Sequence, residues 1–135
     1  MPTEVASGGV STTFKFFLLL HILTVIVAFA PAVVTLLPGN RGTAVAAART
    51  FYAPALILAG LFGILCVVTS DEVFEFDQTW ITLAFIVWIA MNGVFHAIVL
   101  PARRVSSYTR VDNGQAIMTI LLVIMLYLMI WKPGL

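Results

Sequence analysis

Four apolar runs, each near the length a helix needs to cross a bilayer, constrain this chain more than any other feature. A helix rises about 1.5 Å per residue, so about 20 residues span the roughly 30 Å of hydrocarbon. The runs cover about Phe14 to Leu37, Phe51 to Val68, Trp80 to Leu100 and Gln115 to Trp131. They are apolar at odd and even positions alike, which excludes the alternation of a membrane β-barrel strand. A 135-residue body with 61% hydrophobic and 10% charged residues cannot cover itself for water, because a small body is mostly surface. The aliphatic and aromatic content equally excludes disorder. The sequence therefore predicts an all-α, integral membrane four-helix bundle, a single transmembrane domain over residues 1–135.

Punctuation marks the ends of the runs. Pro38-Gly39 cannot prolong the first helix. The Ala-rich stretch Thr43 to Arg49 favours helix and would extend the second run inward, which leaves Pro54 either near that helix's start or inside a longer, kinked one. Thr79 or Asp77 is available to cap the third, and Pro101 stops it. Asp112-Asn113-Gly114 reads as a turn before the fourth run, and Lys132-Pro133-Gly134 ends it. As the shortest, the fourth should stand with little tilt. The opening MPTEVASGGVSTT has no Lys or Arg, whereas a cleaved signal peptide wants a basic start and a shorter apolar core, so the first run is read as a retained span.

Charge sets the expected orientation. Arg41 and Arg49 lie between runs one and two, and Arg103, Arg104 and Arg110 between three and four; together they are five of the seven basic residues. Lys15, Lys132 and the acidic loop SDEVFEFDQT belong to the other face. The positive-inside rule then puts the two Arg loops in the cytoplasm and both termini outside. On that reading Trp80, Trp131 and Tyr127 mark the outer interface and Tyr52 and Tyr108 the inner one. Arg49 would snorkel to headgroups, and Arg103 and Arg104 would anchor topology against anionic lipid. A net charge of +1 offers no basic footprint for nucleic acid, and one cysteine, Cys66, allows no intrachain disulfide.

Polar side chains are costly in hydrocarbon and are the first places to look for function. Here they are His21 and Thr24 in the first run and Asn92 and His96 in the third. Asn92 and His96 are four residues apart, with Trp88 one turn away, so they should form one stripe facing the bundle. Such a stripe either hydrogen-bonds neighbouring helices, at about 1 kcal/mol per pair, or offers a ligand. Two membrane histidines suggest a b-type haem, but His21 lies about 10 Å and His96 about 22 Å below the same surface, and one iron needs its two axial ligands at nearly equal depth. One histidine alone could still hold a haem. Cys66 shares the depth of His21, yet two ligands are too few for a firm metal site. Ala55, Ala59 and Gly63 repeat at spacing four, with Gly60 beside them, and let another backbone approach closely, from this chain or from a partner or second copy. No HExxH, CxxC, GxSxG or phosphate-loop pattern occurs.

The run LLLHILTVIVAF, with His21 in its outer part, and the closing LYLMIWKPGL resemble a family of small bacterial four-span membrane proteins, distantly related to copper-resistance D-type and HemJ-type proteins. The HemJ-type relatives imply haem binding, with His21 as the candidate residue. The expected role is a non-enzymatic component of the bacterial inner membrane, an accessory or assembly subunit docking on another membrane protein through the second span. The rival is a redox, haem- or metal-handling protein in which His21, Cys66 or His96 provides a ligand. A solute or ion pathway has less support, because no Asp or Glu lies within a run. A cysteine placed in the Arg103–Arg110 loop should react with a membrane-impermeant maleimide only from the cytoplasmic side; labelling from the opposite side would invert the orientation.

Overall fold

A computed structural model describes residues 11–35, 51–71, 73–101 and 108–134. Among them are four α-helices and no strand: α1 (Thr12–Thr35), α2 (Ala53–Val68), α3 (Thr79–Val94) and α4 (Tyr108–Trp131), with a π-helical turn, Phe95–Val99, continuing α3. Three of these segments are long and apolar enough to cross a membrane, Thr12–Ala30, Thr79–Val99 and Asn113–Trp131, while Ala53–Val68 is a shorter apolar helix. Large aliphatic side chains such as Ile26, Ile89 and Ile130 point outward, as they do when lipid is the solvent and the hydrophobic effect no longer drives helices together. The chain is an all-α membrane protein.

Each helix end has a local cause. Ser11 opens α1 ahead of the first apolar residue, its Oγ accepting from the Phe14 N–H at 3.2 Å, an N-cap bond that serves one of the unpaired donors of the first turn. The same hydroxyl donates to the Thr69 carbonyl at 3.3 Å, tying the start of α1 to the end of α2. Pro54 occupies the first turn of α2, where a missing N–H costs nothing. Gln78, rather than Thr79 or Asp77, precedes α3, with extended backbone and no side-chain cap bond. Thr79 is the first helical residue and Asp77 lies one position before the cap. Past α2, the buried Ser70 organises the turn, donating to the Val67 carbonyl at 2.8 Å and accepting from the Phe74 N–H at 3.0 Å. Pro38-Gly39, Arg41, Thr43 to Arg49, Arg103 and Arg104 lie outside the described residues.

The largest departure from the expected boundaries is α4, which starts at Tyr108 and carries Asp112-Asn113-Gly114 inside the helix instead of in a turn. Gly114 is there for space: a Cβ on it would come within 2.7 Å of the Val99 side chain, so the glycine permits close approach of α4 to the π turn. The extra residues also remove the reason to expect a short, upright fourth helix.

The helices form two antiparallel hairpins, α1 against α2 and α3 against α4, with few contacts between α2 and α3. At one end the hairpins are joined by a close-packed cluster of Tyr52, Leu56, Met91, Phe95, Val99 and Met118. Tyr52, expected at a membrane interface, is 1% exposed and its ring lies 4.6 Å from that of Phe95. The π turn widens the helix by about one residue per turn, and both Phe95 and Val99 point into this cluster.

At the opposite end Ser11, the 70–78 loop, the start of α3 and the end of α4 converge. Lys132 ends α4 with φ 43° and places its ammonium over the Phe74 ring at 4.5 Å and the Trp80 ring at 5.4 Å. Left-handed backbone at a lysine costs roughly 1–2 kcal/mol, and a cation over two aromatic faces offsets it by a comparable amount. Trp80 is thus buried under Lys132 instead of facing lipid, whereas Trp131 is exposed and stacks on Tyr127 at 5.0 Å.

The glycines of α2 and α3 give a direct test of this packing. A Cβ at Gly60 would overlap the Trp88 indole, while one at Gly93 meets nothing within 4 Å. Gly60→Ala should lower unfolding stability in detergent by about 1–3 kcal/mol, the cost of overpacking. Gly93→Ala should be neutral or slightly stabilising. Equal effects in a denaturing-detergent titration would contradict the assigned helix faces.

Candidate functional site

Between the two hairpins, beyond the Tyr52 cluster, lies a cavity of about 490 Å³ touched by all four helices. Its size falls in the range of roughly 300–1,000 Å³ common for small-molecule sites. The walls are almost wholly carbon: Phe14, Val25 and Phe29 of α1, Leu56 of α2, Phe85 and Met91 of α3, Leu122 and Met125 of α4. Lys132 lines its far end.

Most polar groups along these walls are already engaged. The Trp88 Nε1–H donates to the Leu56 carbonyl at 2.8 Å, and Gly60 leaves the room its indole needs. The Trp80 Nε1–H donates to Gln78 Oε1 at 3.0 Å. Ser70 is committed to its own turn.

His21 differs. Its Nδ1 lies 2.8 Å from the Ala59 carbonyl oxygen. A carbonyl can only accept, so Nδ1 carries the hydrogen and donates it, and in the neutral ring Nε2 keeps a free lone pair. The ring fits against α2 because Gly63 has no side chain; a Cβ there would press on His21 Cε1 at 3.3 Å. Both His21 and Gly63 line the cavity, as does Cys66, which is buried and reduced.

The small-residue face of α2 is therefore occupied within the chain. Ala55 and Ala59 are buried, and α1 lies along α2, its His21 against Ala59 and Gly63. Gly60, one residue off the four-spaced row, receives Trp88. The tryptophan's role was visible in the sequence only as an indole N–H deep in a span, a donor that has to find an acceptor when buried.

The other intramembrane polar residues do not join the site. Thr24 donates to the Leu20 or His21 carbonyl of its own helix, each at 2.9 Å. Asn92 Nδ2 likewise donates to the Trp88 carbonyl of its own helix at 2.9 Å. His96 is exposed, edge-on to Phe95, and does not line the cavity. The expected inward stripe of Trp88, Asn92 and His96 is broken after Trp88, because the buried face runs through Met91, Phe95 and Val99, and Asn92 and His96 each follow a member of it by one residue, about 100° round the helix axis. His21 and His96 are not brought together, and no group of three His, Cys, Asp or Glu among the described residues could hold a metal ion.

No family model, curated protein or solved structure matches this chain. Its site is read from its own geometry. Because His21 ties two helices whereas Asn92 bonds within one, His21→Leu should destabilise the protein in detergent by roughly 1 kcal/mol, and Asn92→Ala by less. A larger loss from the Asn92 variant, in the same unfolding titration, would remove His21 from its place as the interhelical tie.

Proposed function

We propose that this chain is a non-enzymatic membrane binding protein that holds a hydrophobic molecule between its two helical hairpins. The observation that carries the reading is the roughly 490 Å³ apolar cavity reaching all four helices, with one imidazole in its wall. Walls of carbon on four helices match an apolar molecule by dispersion contacts. In this reading α2 is a fourth span. The two Arg loops face the cytoplasm of a bacterial inner membrane and the Lys132 end faces outward. An accessory or assembly role remains compatible with ligand binding. It would need a docking surface other than the small-residue row of α2, which α1 covers.

A second reading, haem or metal handling, is favoured by one observation. The Nδ1–H of His21 is held by a backbone carbonyl, the arrangement by which ligating histidines fix their tautomer and present Nε2. It agrees with the resemblance of the first span to HemJ-type proteins. A Soret band in the purified protein, lost in His21→Ala, would carry this reading in place of the first.

Mild extraction followed by native mass spectrometry tests the binding reading. The wild-type protein should carry a hydrophobic adduct. Ala84→Phe, which fills the cavity from α3, should lose it while remaining as helical as the wild type by circular dichroism. Absence of any adduct in the wild type, or its full retention in the folded variant, would overturn the proposal.

A further inference from the structure

The proposed binding role leaves open what the occupant must present to His21, and the hydrogen-bond accounting of the cavity answers it. Along the walls the indole N–H groups of Trp80 and Trp88 and the Ser70 hydroxyl are spent on the protein itself. The Lys132 ammonium sits on two aromatic rings at the far end. His21 uses its Nδ1–H on Ala59. What remains is the weakly polar Cys66 thiol and His21 Nε2, an acceptor on a side chain that lines the apolar cavity. An acceptor in hydrocarbon without a donor forfeits its solvation, so the occupant that suits this site is one that brings the donor.

We infer that the cavity selects a neutral hydrophobe bearing a hydroxyl group, an alcohol or phenol whose O–H donates to His21 Nε2. The inference rests on the binding reading above and adds the chemical class of the ligand. A carboxylate or phosphate head would have no proton to give. A plain alkane chain would fill the volume and leave Nε2 unpaired. The donor sits at a set depth, because His21 is ten residues beyond Ser11 on α1, about 15 Å along a helix axis.

The test uses the full chain in lipid nanodiscs and two photoreactive probes, a diazirine-bearing long-chain alcohol and its methyl ether, which differ only in the donor. Labelling of the α1 and α2 peptides is quantified by mass spectrometry. Wild-type protein should favour the alcohol by about five-fold, the value of one neutral hydrogen bond. His21→Leu should lose that preference while still taking the ether, and His21→Gln, whose Oε1 accepts, should retain part of it. Ether labelling in His21→Leu reports that the variant is folded with its cavity intact. Equal labelling of the wild type by both probes would overturn the inference and leave the binding reading standing. No labelling of cavity residues by either probe would overturn both.

Discussion

A polar group inside hydrocarbon has no water to turn to, and the tertiary structure of this protein is organised by how two such groups are satisfied. His21 on α1 and Trp88 on α3 both reach the backbone of α2, at the Ala59 and Leu56 carbonyls, each at 2.8 Å. A helix carbonyl keeps a second lone pair after its own ladder bond, but bulky side chains normally shield it. Gly60 and Gly63 remove that shield at the two points where the rings lie. The small residues of α2 thus serve two ends: they let α1 approach along Ala55 and Ala59, and they open carbonyls to donors from both neighbouring helices. Each bond contributes only about 0.6 kcal/mol on average in a membrane, yet their direction sets which faces meet.

The hairpins are consequently held together unevenly. At one end Tyr52, Phe95, Val99 and Met118 pack against each other with almost no exposed surface. At the other the contact is made through the loop after α2, whose Phe74 lies against Phe14 of α1 and under the Lys132 ammonium at the end of α4. The space left between the two ends is the cavity. Polar groups that bond within their own helix, Thr24, Asn92 and Thr119, add nothing to the contact between the hairpins.

Particular residues show where one-dimensional reasoning carries and where it stops. The start of α1 near Phe14 and the end of α4 before Lys132-Pro133-Gly134 follow from local chemistry. Asp112-Asn113-Gly114 has every local sign of a turn, yet it is helical, because the glycine is needed for contact with Val99 across the hairpin. Asn92 and His96 read as an inward stripe, but the buried face is the row Met91, Phe95 and Val99, which leaves both polar residues one position round the helix. Tyr52 and Trp80 carry the composition of interface residues, but both are buried, one on Phe95 and one under Lys132. Of the candidate site, His21 and Cys66 are legible as residues at similar depth, Gly63 as one of a small-residue row and Trp88 as part of an inward stripe; Phe85 and Lys132 become members only through long-range packing.

Sequence alone determined the solvent of this protein and the character of its elements. Hydrocarbon tolerates only backbone that satisfies its own amides, and long apolar runs without alternation leave the helix as the one answer. Tertiary structure decided which polar groups meet and which stand apart, since that depends on helix rotation. A rotation of about 100° per residue, invisible in hydropathy, separates a histidine in the cavity wall from a histidine exposed on the outside.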